Sequence, residues 1–174
     1  MSDKDEAAED IREVLGALPP RWGRMPLLCR ALVLETGRLL RKISLWDGEQ
    51  TLEERGMHVG FIGATRYGSM CTDLEFAEGL ALGEEMASPA LFGYTLANMP
   101  LAEAAVHFGL TGPVFALFDG CDPLATARRE AEIWLEWDAS LSLMLASAFD
   151  HEKSATGELL RVSVIPITRT SDSP

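Results

Sequence analysis

The chain has 174 residues, of which 47% are hydrophobic and 24% are charged. These values exclude a disordered chain and are typical of one globular domain that can bury a core. The net charge of −12 disfavours nucleic acids and anionic membrane surfaces as partners. Basic side chains in the N-terminal third are an exception, and they form either a docking patch for an acidic partner or a solvated helix face. They are Arg21, Arg24, Arg30, Arg38, Arg41 and Lys42.

The three cysteines, Cys29, Cys71 and Cys121, are odd in number and widely spaced. Without a CxxC pair they indicate neither a zinc knuckle nor a disulfide framework, and a reducing cytoplasm fits them best. The acidic N-terminus, MSDKDEAAED, lacks the apolar core of a signal peptide. The longest apolar run, around residues 141–149, is about half of what a membrane span needs. We therefore expect a cytoplasmic protein without a membrane span.

Hydrophobic periodicity predicts helices that alternate with short apolar strands. The predicted helices cover residues 3–18, 25–43, 72–82, 99–108 and 123–137. The predicted strands cover residues 58–64, 114–118, 141–148 and 159–167, and the last two form a hairpin-like pair. This alternation indicates an α/β domain in which helices are layered on a mixed, mostly buried sheet.

Three details of these elements are specific enough to check. Leu74, with Ala77 and Ala81, is expected to face inward from the helix over residues 72–82. A loop is expected to open at Ser88-Pro89. Asn98 is expected to cap the helix over residues 99–108 through its side chain.

Familiar cofactor and metal motifs are absent from the sequence. The glycines in GFIGATRYG do not follow the GxGxxG order, and GxxxxGK[ST], HExxH and GxSxG do not occur. We therefore expect roles in strand packing and in a turn, and not in a phosphate loop, for Gly60, Gly63 and Gly68. The three histidines are scattered without ligand spacing, which favours structural or surface roles. The sequence thus predicts no cofactor and no metal site.

Cys121 is the one candidate catalytic residue. It follows Gly120 directly after a predicted buried strand and precedes a predicted helix, whose free N–H groups suit a thiolate and an oxyanion. Asp119 and Asp122 flank it, however, and negative neighbours disfavour a thiolate. No histidine is placed to act as its base. The alternative is a half-buried small residue at a tight turn, with Asp119 or Asp122 as the helix cap.

Three segments together resemble the N-terminal half of a β-ketoacyl synthase, an enzyme with the thiolase fold. The early strand and glycine-rich turn of that family resemble HVGFIGATRYGSM. Its P-x-x-F-x-x-x-x-x-N region, with the following helix and G-x-x-G-P turn, resembles SPALFGYTLANMPLAEAAVHFGLTGP. Its strand into the active-site cysteine resembles GPVFALFDGC, and this match places Cys121 at the cysteine position. The other motif positions hold Pro89, Phe92, Asn98, Gly109, Gly112 and Pro113.

The resemblance implies a β-ketoacyl synthase N-terminal-like domain over residues 25–167. The residue pattern adds an N-terminal helical extension over residues 1–24 and a flexible tail over residues 168–174. The chain also resembles a group of short proteins that consist of this half domain alone, many of them non-catalytic. Two departures from the synthases favour that group. Asp122-Pro123 follows the cysteine where the synthases have small residues, and their two catalytic histidines lie in a C-terminal half that this sequence does not contain.

The leading hypothesis is a non-catalytic or accessory component of an acyl-carrier-dependent fatty-acid or polyketide pathway. The family dimerises through the strand before the cysteine, which here is the apolar segment Val114–Phe118. The resemblance therefore implies a homodimer or a heterodimer with a full ketoacyl synthase, and acyl carrier protein as a further partner. A second hypothesis is a Cys121-dependent synthase or acyltransferase completed by a partner chain. A third is an unrelated α/β interaction domain.

Overall fold

A computed structural model of the chain describes residues 11–83, 88–154 and 157–169. Residues 11–15 are helical and a 3-10 turn covers Trp22–Arg24. The helices that follow are α1 (Leu27–Lys42), α2 (Met70–Leu82), α3 (Pro89–Gly93), α4 (Met99–Phe108) and α5 (Pro123–Trp137). The strands are β1 (Val59–Thr65), β2 (Val114–Phe118), β3 (Leu143–Ser154) and β4 (Gly157–Ile167). Within these ranges no helix combines the length and the apolar character that a membrane span requires.

The strands form one mixed sheet in the order β2-β1-β3-β4. Strand β1 pairs in parallel with β2 on one side and with β3 on the other. Strands β3 and β4 form an antiparallel hairpin from Met144↔Ile167 to Ser154↔Gly157. The predicted mixed sheet and the predicted pairing of the last two strands are therefore confirmed. Strands β2 and β4 are the two edges of the sheet in the part of the chain that the structure describes.

Both faces of the sheet are covered, which gives three layers. Phe61 of β1 points into the larger apolar cluster, together with residues of α1 and α4. Its neighbour Ile62 points to the opposite face, where Ala127 and Ala131 of α5 pack. Because side chains alternate along a strand, each face of β1 serves a different cluster. All seven residues of β1 are buried as a result.

The glycines of β1 are explained by close packing. A Cβ atom at Gly60 would collide with the side chain of Met144, and one at Gly63 would collide with Phe149. Gly68 lies in the turn after β1 with a φ of +62°, a conformation that glycine adopts without strain. These positions thus serve strand packing and a turn, as their order in the sequence predicts.

The N-terminal segment packs against the main body. Leu15 is fully buried in the larger cluster. The carbonyl oxygen of Val14 accepts hydrogen bonds from Arg41 Nε at 2.8 Å and Trp46 Nε1 at 3.0 Å. His107 Nε2 lies 3.1 Å from the carbonyl oxygen of Leu15. Side chains of the main body therefore satisfy the last carbonyls of the helical segment over residues 11–15, and a domain boundary at residue 24 stays a prediction.

Several helix details differ from the sequence expectations. Ser88-Pro89 begins the short helix α3, not a loop, and Ser88 Oγ accepts a hydrogen bond from Leu91 N at 3.2 Å. Asn98 occupies the N-cap position of α4, but its side chain makes no capping bond. Leu74 is 42% exposed, and Ala77 and Ala81 are exposed as well, so these residues do not face inward as expected. In α2 only Thr72 is buried. The N-terminal part of the helix predicted over residues 3–18 lies outside the described residues.

Ser147 on β3 carries a buried hydroxyl without a hydrogen-bond partner. We expect Ser147→Ala to raise the free energy of unfolding by about 1 kcal/mol, because it removes an unsatisfied polar group. Thr65→Val is the contrasting variant, since the Thr65 hydroxyl donates to Asp150 at 2.6 Å and accepts from Gly68 N at 2.8 Å. It should lower the stability. Denaturant unfolding measures both, and a loss of stability in Ser147→Ala would contradict the expectation.

Burial lowers the pKa of His107, and its hydrogen bond to the Leu15 carbonyl only partly opposes this. The folded protein therefore favours the neutral imidazole. Its contribution to stability should be complete above the ordinary histidine pKa of about 6.5 and decline as the pH falls through the lowered value. Denaturant unfolding from about pH 5 to pH 8 tests this for the wild type and His107→Gln. The variant should have a flatter profile, and an identical slope would rule out His107 as the cause.

Candidate functional site

The carboxyl ends of the parallel strands β1, β2 and β3 meet at one end of the sheet. Ligands bind at this end in open α/β sheets. Here the turn after β1 (residues 65–68), the loop after β2 (residues 119–122) and Asp150 of β3 come together, and we call these residues the strand-end site. Arg66 connects two of these segments, because its Nη2 donates to the carbonyl oxygen of Cys121 at 2.8 Å.

Cys121 lies at the predicted step between β2 and α5. Its thiol is free and the residue is exposed. Asp119 donates its backbone N–H to the carbonyl oxygen of Thr65 at 3.0 Å, which ties the loop after β2 to the end of β1. The predicted strand-to-helix elbow is therefore present, with its cysteine accessible from solvent.

The backbone N–H groups of Cys121 and Asp122 point to one place at this elbow, which we call the amide niche, and the carboxylate of Asp119 occupies it. Its Oδ1 accepts the backbone N–H of Cys121 at 2.7 Å and that of Asp122 at 2.9 Å. Its Oδ2 accepts the hydroxyl of Thr126 at 2.6 Å. These hydrogen bonds lower the pKa of Asp119, and the bond from the Thr126 hydroxyl contributes most. The N–H groups that an oxyanion would need are thus already bound by a carboxylate of the same chain.

Asp122 completes the start of α5. Its Oδ1 accepts the backbone N–H of Ala125 at 3.2 Å, which is an N-terminal cap. Both aspartates that flank Cys121 therefore hold backbone N–H groups of the elbow. The capping aspartate of the structural alternative is thus present as Asp122, whereas Cys121 itself is exposed and not half-buried.

Asp150 is a site residue that the sequence reasoning missed. It is buried and accepts hydrogen bonds from Thr65 Oγ1 at 2.6 Å, Arg66 N at 2.9 Å and Tyr67 N at 3.0 Å. These bonds fix the turn from which Arg66 reaches the elbow. The sequence contained one signal for this role, because Asp150 directly follows the apolar run LMLASAF. Both belong to the single strand β3.

The histidines make their contacts elsewhere. His58 Nδ1 lies 2.8 Å from Thr111 Oγ1, at the other end of β1, and His151 Nε2 lies 3.2 Å from Glu158 Oε2 on the hairpin. His107 contacts the N-terminal segment. In the part of the chain that the structure describes, no histidine is hydrogen-bonded to Cys121. The thiol thus has no imidazole base among these residues.

A second buried polar cluster lies below α3. Tyr94 Oη donates to the buried Glu103 carboxylate at 2.9 Å, and Arg21 Nη2 lies 3.5 Å from the same carboxylate. Burial raises the pKa of Cys29 to about 12, with Glu103 adding to the effect. Burial and Glu103 also raise the pKa of Tyr94 to about 12. This cluster holds the turn around Arg21 onto α4, and burial favours the protonated form of its thiol.

An apolar pocket of about 450 Å³ opens beside the carboxyl end of β2. We call it the edge pocket. Its apolar wall is formed by Tyr67, Met70, Ala97, Ala116, Leu117 and Phe118. Phe118 is 76% exposed at its rim. The pocket therefore continues the apolar surface of β2 around the end of the sheet.

The two edges of the sheet differ in chemistry. Strand β2, with the sequence VFALF, contains no charge and no proline. Strand β4 carries Glu158, Arg161 and Pro166, the residue types that discourage another strand from pairing. Of the two edges formed by the described strands, the one at β2 is thus suited to strand pairing with another chain.

Comparison with known proteins finds a likeness in structure alone. No protein-family model matches the chain, and no curated protein matches its sequence. A structure of the ishigamide ketosynthase/chain length factor has a TM-score of 0.72 at 15% identity, over 94% of this chain and 49% of that one. A ketosynthase in complex with its chain length factor from Xenorhabdus doucetiae has a TM-score of 0.62 at 18% identity, over 88% of this chain and 63% of that one.

A β-ketoacyl synthase from Burkholderia phymatum has a TM-score of 0.55 at 14% identity, over 80% of this chain and 35% of that one. The chain thus spans from about a third to just under two thirds of the length of these proteins. The fold is that of a ketosynthase half domain, and the expected resemblance to the thiolase-fold synthases is confirmed at the level of the fold.

The bonds to Asp119 generate a pH-dependent expectation. Because the folded state lowers the pKa of this carboxyl, its stabilising effect should be complete above the ordinary aspartate pKa of about 3.9 and be lost as the pH falls through the lowered value. Asp119→Asn should therefore unfold at less denaturant than the wild type at pH 7. Thr126→Val removes one partner of the same carboxylate and should show part of the loss. Equal midpoints at pH 7, or a difference that grows in acid, would contradict this assignment.

Proposed function

We propose that this chain is a non-catalytic accessory subunit of an acyl-carrier-dependent fatty-acid or polyketide pathway. The observation that carries the proposal is the Asp119 carboxylate, which occupies the amide niche beside Cys121. This niche lies at the elbow where the resemblance puts the active-site cysteine of the synthases. The site thus keeps the shape of a condensing-enzyme elbow without its free donors.

The chemistry of condensation explains why this arrangement disfavours turnover. A thiolate must first attack the acyl carbonyl, and free N–H donors must then stabilise the oxyanion that forms. Here a negative carboxylate lies within hydrogen-bonding distance of both N–H groups, so an incoming oxyanion meets repulsion in place of donors. The thiol also has no histidine partner among the described residues. Both requirements of the chemistry are therefore unmet within the part of the chain that the structure describes.

The partner is a chain of the same fold, either a second copy or a full ketosynthase. Strand β2 supports this proposal, because it is an apolar edge strand without the charged or proline residues that protect β4. One of the similar structures holds a ketosynthase in complex with its chain length factor, a precedent for pairing of this kind. Strand pairing at this edge would also cover the exposed ring of Phe118.

The proposal also includes a compartment. We place the protein in the cytoplasm, because its three cysteines are free thiols, as a reducing compartment favours.

Acyl carrier protein is the expected further partner of the assembled complex. Its acidic surface would have to approach the basic N-terminal third, where Arg21 and Arg41 already contact partners within the chain. The carrier contact is therefore expected to depend on the partner subunit as well.

Carbon dioxide release from a malonyl-carrier substrate tests the proposal. The purified chain should remain at background, because the loss of each oxyanion donor typically costs a factor of about 100 to 1,000. Cys121→Ala is the matched control and should be indistinguishable from the wild type. Turnover above background that disappears in Cys121→Ala would replace the accessory role with a Cys121-dependent synthase or acyltransferase. The same assay with a full ketosynthase added checks whether a partner completes the site.

A further inference from the structure

A groove of about 340 Å³ lies between α2 and the hairpin of β3 and β4. We call it the hairpin groove. It shares no lining residue with the strand-end site or the edge pocket. Polar side chains in its walls come from α2 and from the hairpin, and they are Thr72, Glu75, Glu78, His151, Lys153 and Glu158. The hairpin groove is therefore a separate concave surface with its own set of polar groups.

The α2 wall of the hairpin groove has two carboxylates without a countercharge. Thr72, Glu75 and Glu78 follow one another at intervals of three residues, which places them on one side of the helix. Glu75 and Glu78 are exposed, and neither makes an ion pair with the described residues. Like charges on neighbouring turns of a helix repel each other. A cation bound between them would relieve that repulsion.

The hydroxyl of Thr72 is buried and has no partner. Thr72 is only 5% exposed, and within residues 11–83, 88–154 and 157–169 its hydroxyl makes no hydrogen bond. Thr36 shows the usual alternative in a helix, because its Oγ1 donates to the carbonyl oxygen of Leu32 at 2.7 Å. The Thr72 hydroxyl also differs from that of Ser147, which is sealed in the core. Thr72 lines the hairpin groove, so a ligand there can supply the missing bond.

The hairpin wall is close to neutral. Lys153 of β3 lies opposite Glu158 of β4 in the register of the hairpin, and His151 Nε2 is 3.2 Å from Glu158 Oε2. Burial raises the pKa of Cys71, which also lines the groove, and Glu158 adds more to this effect than Lys153 removes. The amino end of α1 at Leu27 contributes only a partial positive charge. The hairpin groove is thus negative at its α2 wall.

The hairpin groove also has an apolar part. Leu27 at the start of α1 is 45% exposed and Leu74 of α2 is 42% exposed, and both line the groove together with Pro26. Such a surface suits the methylenes of an aliphatic chain. The described residues hold no group of three or more histidine, cysteine or acidic side chains that could bind a metal ion. These observations favour an organic cation with an aliphatic body over a metal ion.

We propose that the hairpin groove binds a primary ammonium group that is carried on an aliphatic chain. The ammonium has three N–H donors and no acceptor. These donors match the one hydroxyl of Thr72 and the two carboxylates of Glu75 and Glu78. The methylenes lie against Leu27 and Leu74. Free alkylamines and the lysine side chain of a partner protein both carry this group, and the site does not depend on the proposed accessory role.

Titration of the whole chain with n-hexylamine, followed by NMR of the backbone amides, tests the proposal. The amine is protonated at pH 7, because its pKa resembles that of lysine, about 10.4. Saturable shifts should appear at α2 and at the hairpin, and the binding should weaken as salt screens the attraction. n-Hexanol and hexanoate have an aliphatic chain without the positive charge, and neither should bind as tightly.

Three variants separate the groups of the site. Thr72→Val keeps the shape of the side chain and should weaken hexylamine binding about tenfold, because a hydrogen bond to a charged group is lost. It should be no less stable than the wild type, because the hydroxyl has no partner to lose. Glu75→Gln should weaken binding about threefold, since this carboxylate is exposed. Glu53→Gln is the matched control and should bind as the wild type does, because Glu53 is exposed, lies outside the groove and loses the same charge.

The proposal would be overturned if hexylamine gave no saturable shifts, or if hexanoate bound more tightly, because the positive end of α1 would then be the determinant. Unchanged affinity in Thr72→Val, or equal losses in Glu75→Gln and Glu53→Gln, would also overturn it. Nα-acetyl-lysine amide distinguishes the two sources of the ammonium group. Tighter binding of this capped lysine than of hexylamine indicates the lysine side chain of a partner, and weaker binding indicates a free alkylamine.

Discussion

The fold depends on burying β1 on both faces at once. All seven of its residues are buried, so each neighbouring element must fit against a strand that offers no solvent-facing side. Gly60 and Gly63 are consequences of this constraint, because Met144 and Phe149 occupy the space that a larger residue would need. The same packing aligns the carboxyl ends of β1, β2 and β3, which is where the residues of the strand-end site meet.

The two edge strands of this sheet differ in whether their sequences protect the unpaired backbone N–H and C=O groups from pairing with another chain. Strand β4 carries charges and a proline, whereas β2 carries only apolar residues. A long hairpin that is protected at its outer edge suits a boundary with solvent. An unprotected central-type sequence such as VFALF suits a strand that continues into another chain. The difference between the two edge strands therefore indicates which edge of the sheet is suited to pairing with another chain.

Sequence patterns were most reliable where glycine or proline marked the ends of an element. The bounds of α4, β2 and α5 match the predicted residues, with Gly109, Gly112-Pro113 and Pro123 at their borders. Strand β3 runs six residues beyond its predicted end, because pairing with β4 outweighs the polar composition of DHEKS. Helix α2 exposes Leu74, because burial depends on which elements pack against a helix, and the periodicity of the helix itself does not show this. The elbow cysteine was identified by its position between a predicted strand and a predicted helix and by the resemblance. A capping aspartate was also predicted, but the sequence did not show that Asp119 would bind the N–H groups of both Cys121 and Asp122.

The Asp119 carboxylate has a consequence for how such a protein can evolve. The same group that occupies the amide niche also joins the elbow to α5 through Thr126. A substitution that freed these N–H groups would remove bonds that hold the start of the helix, so it would weaken the fold before any catalytic rate could be gained. Selection for folding alone then opposes such a substitution. Under the proposed role, the occupied niche would be maintained by stability and not by the absence of a nucleophile.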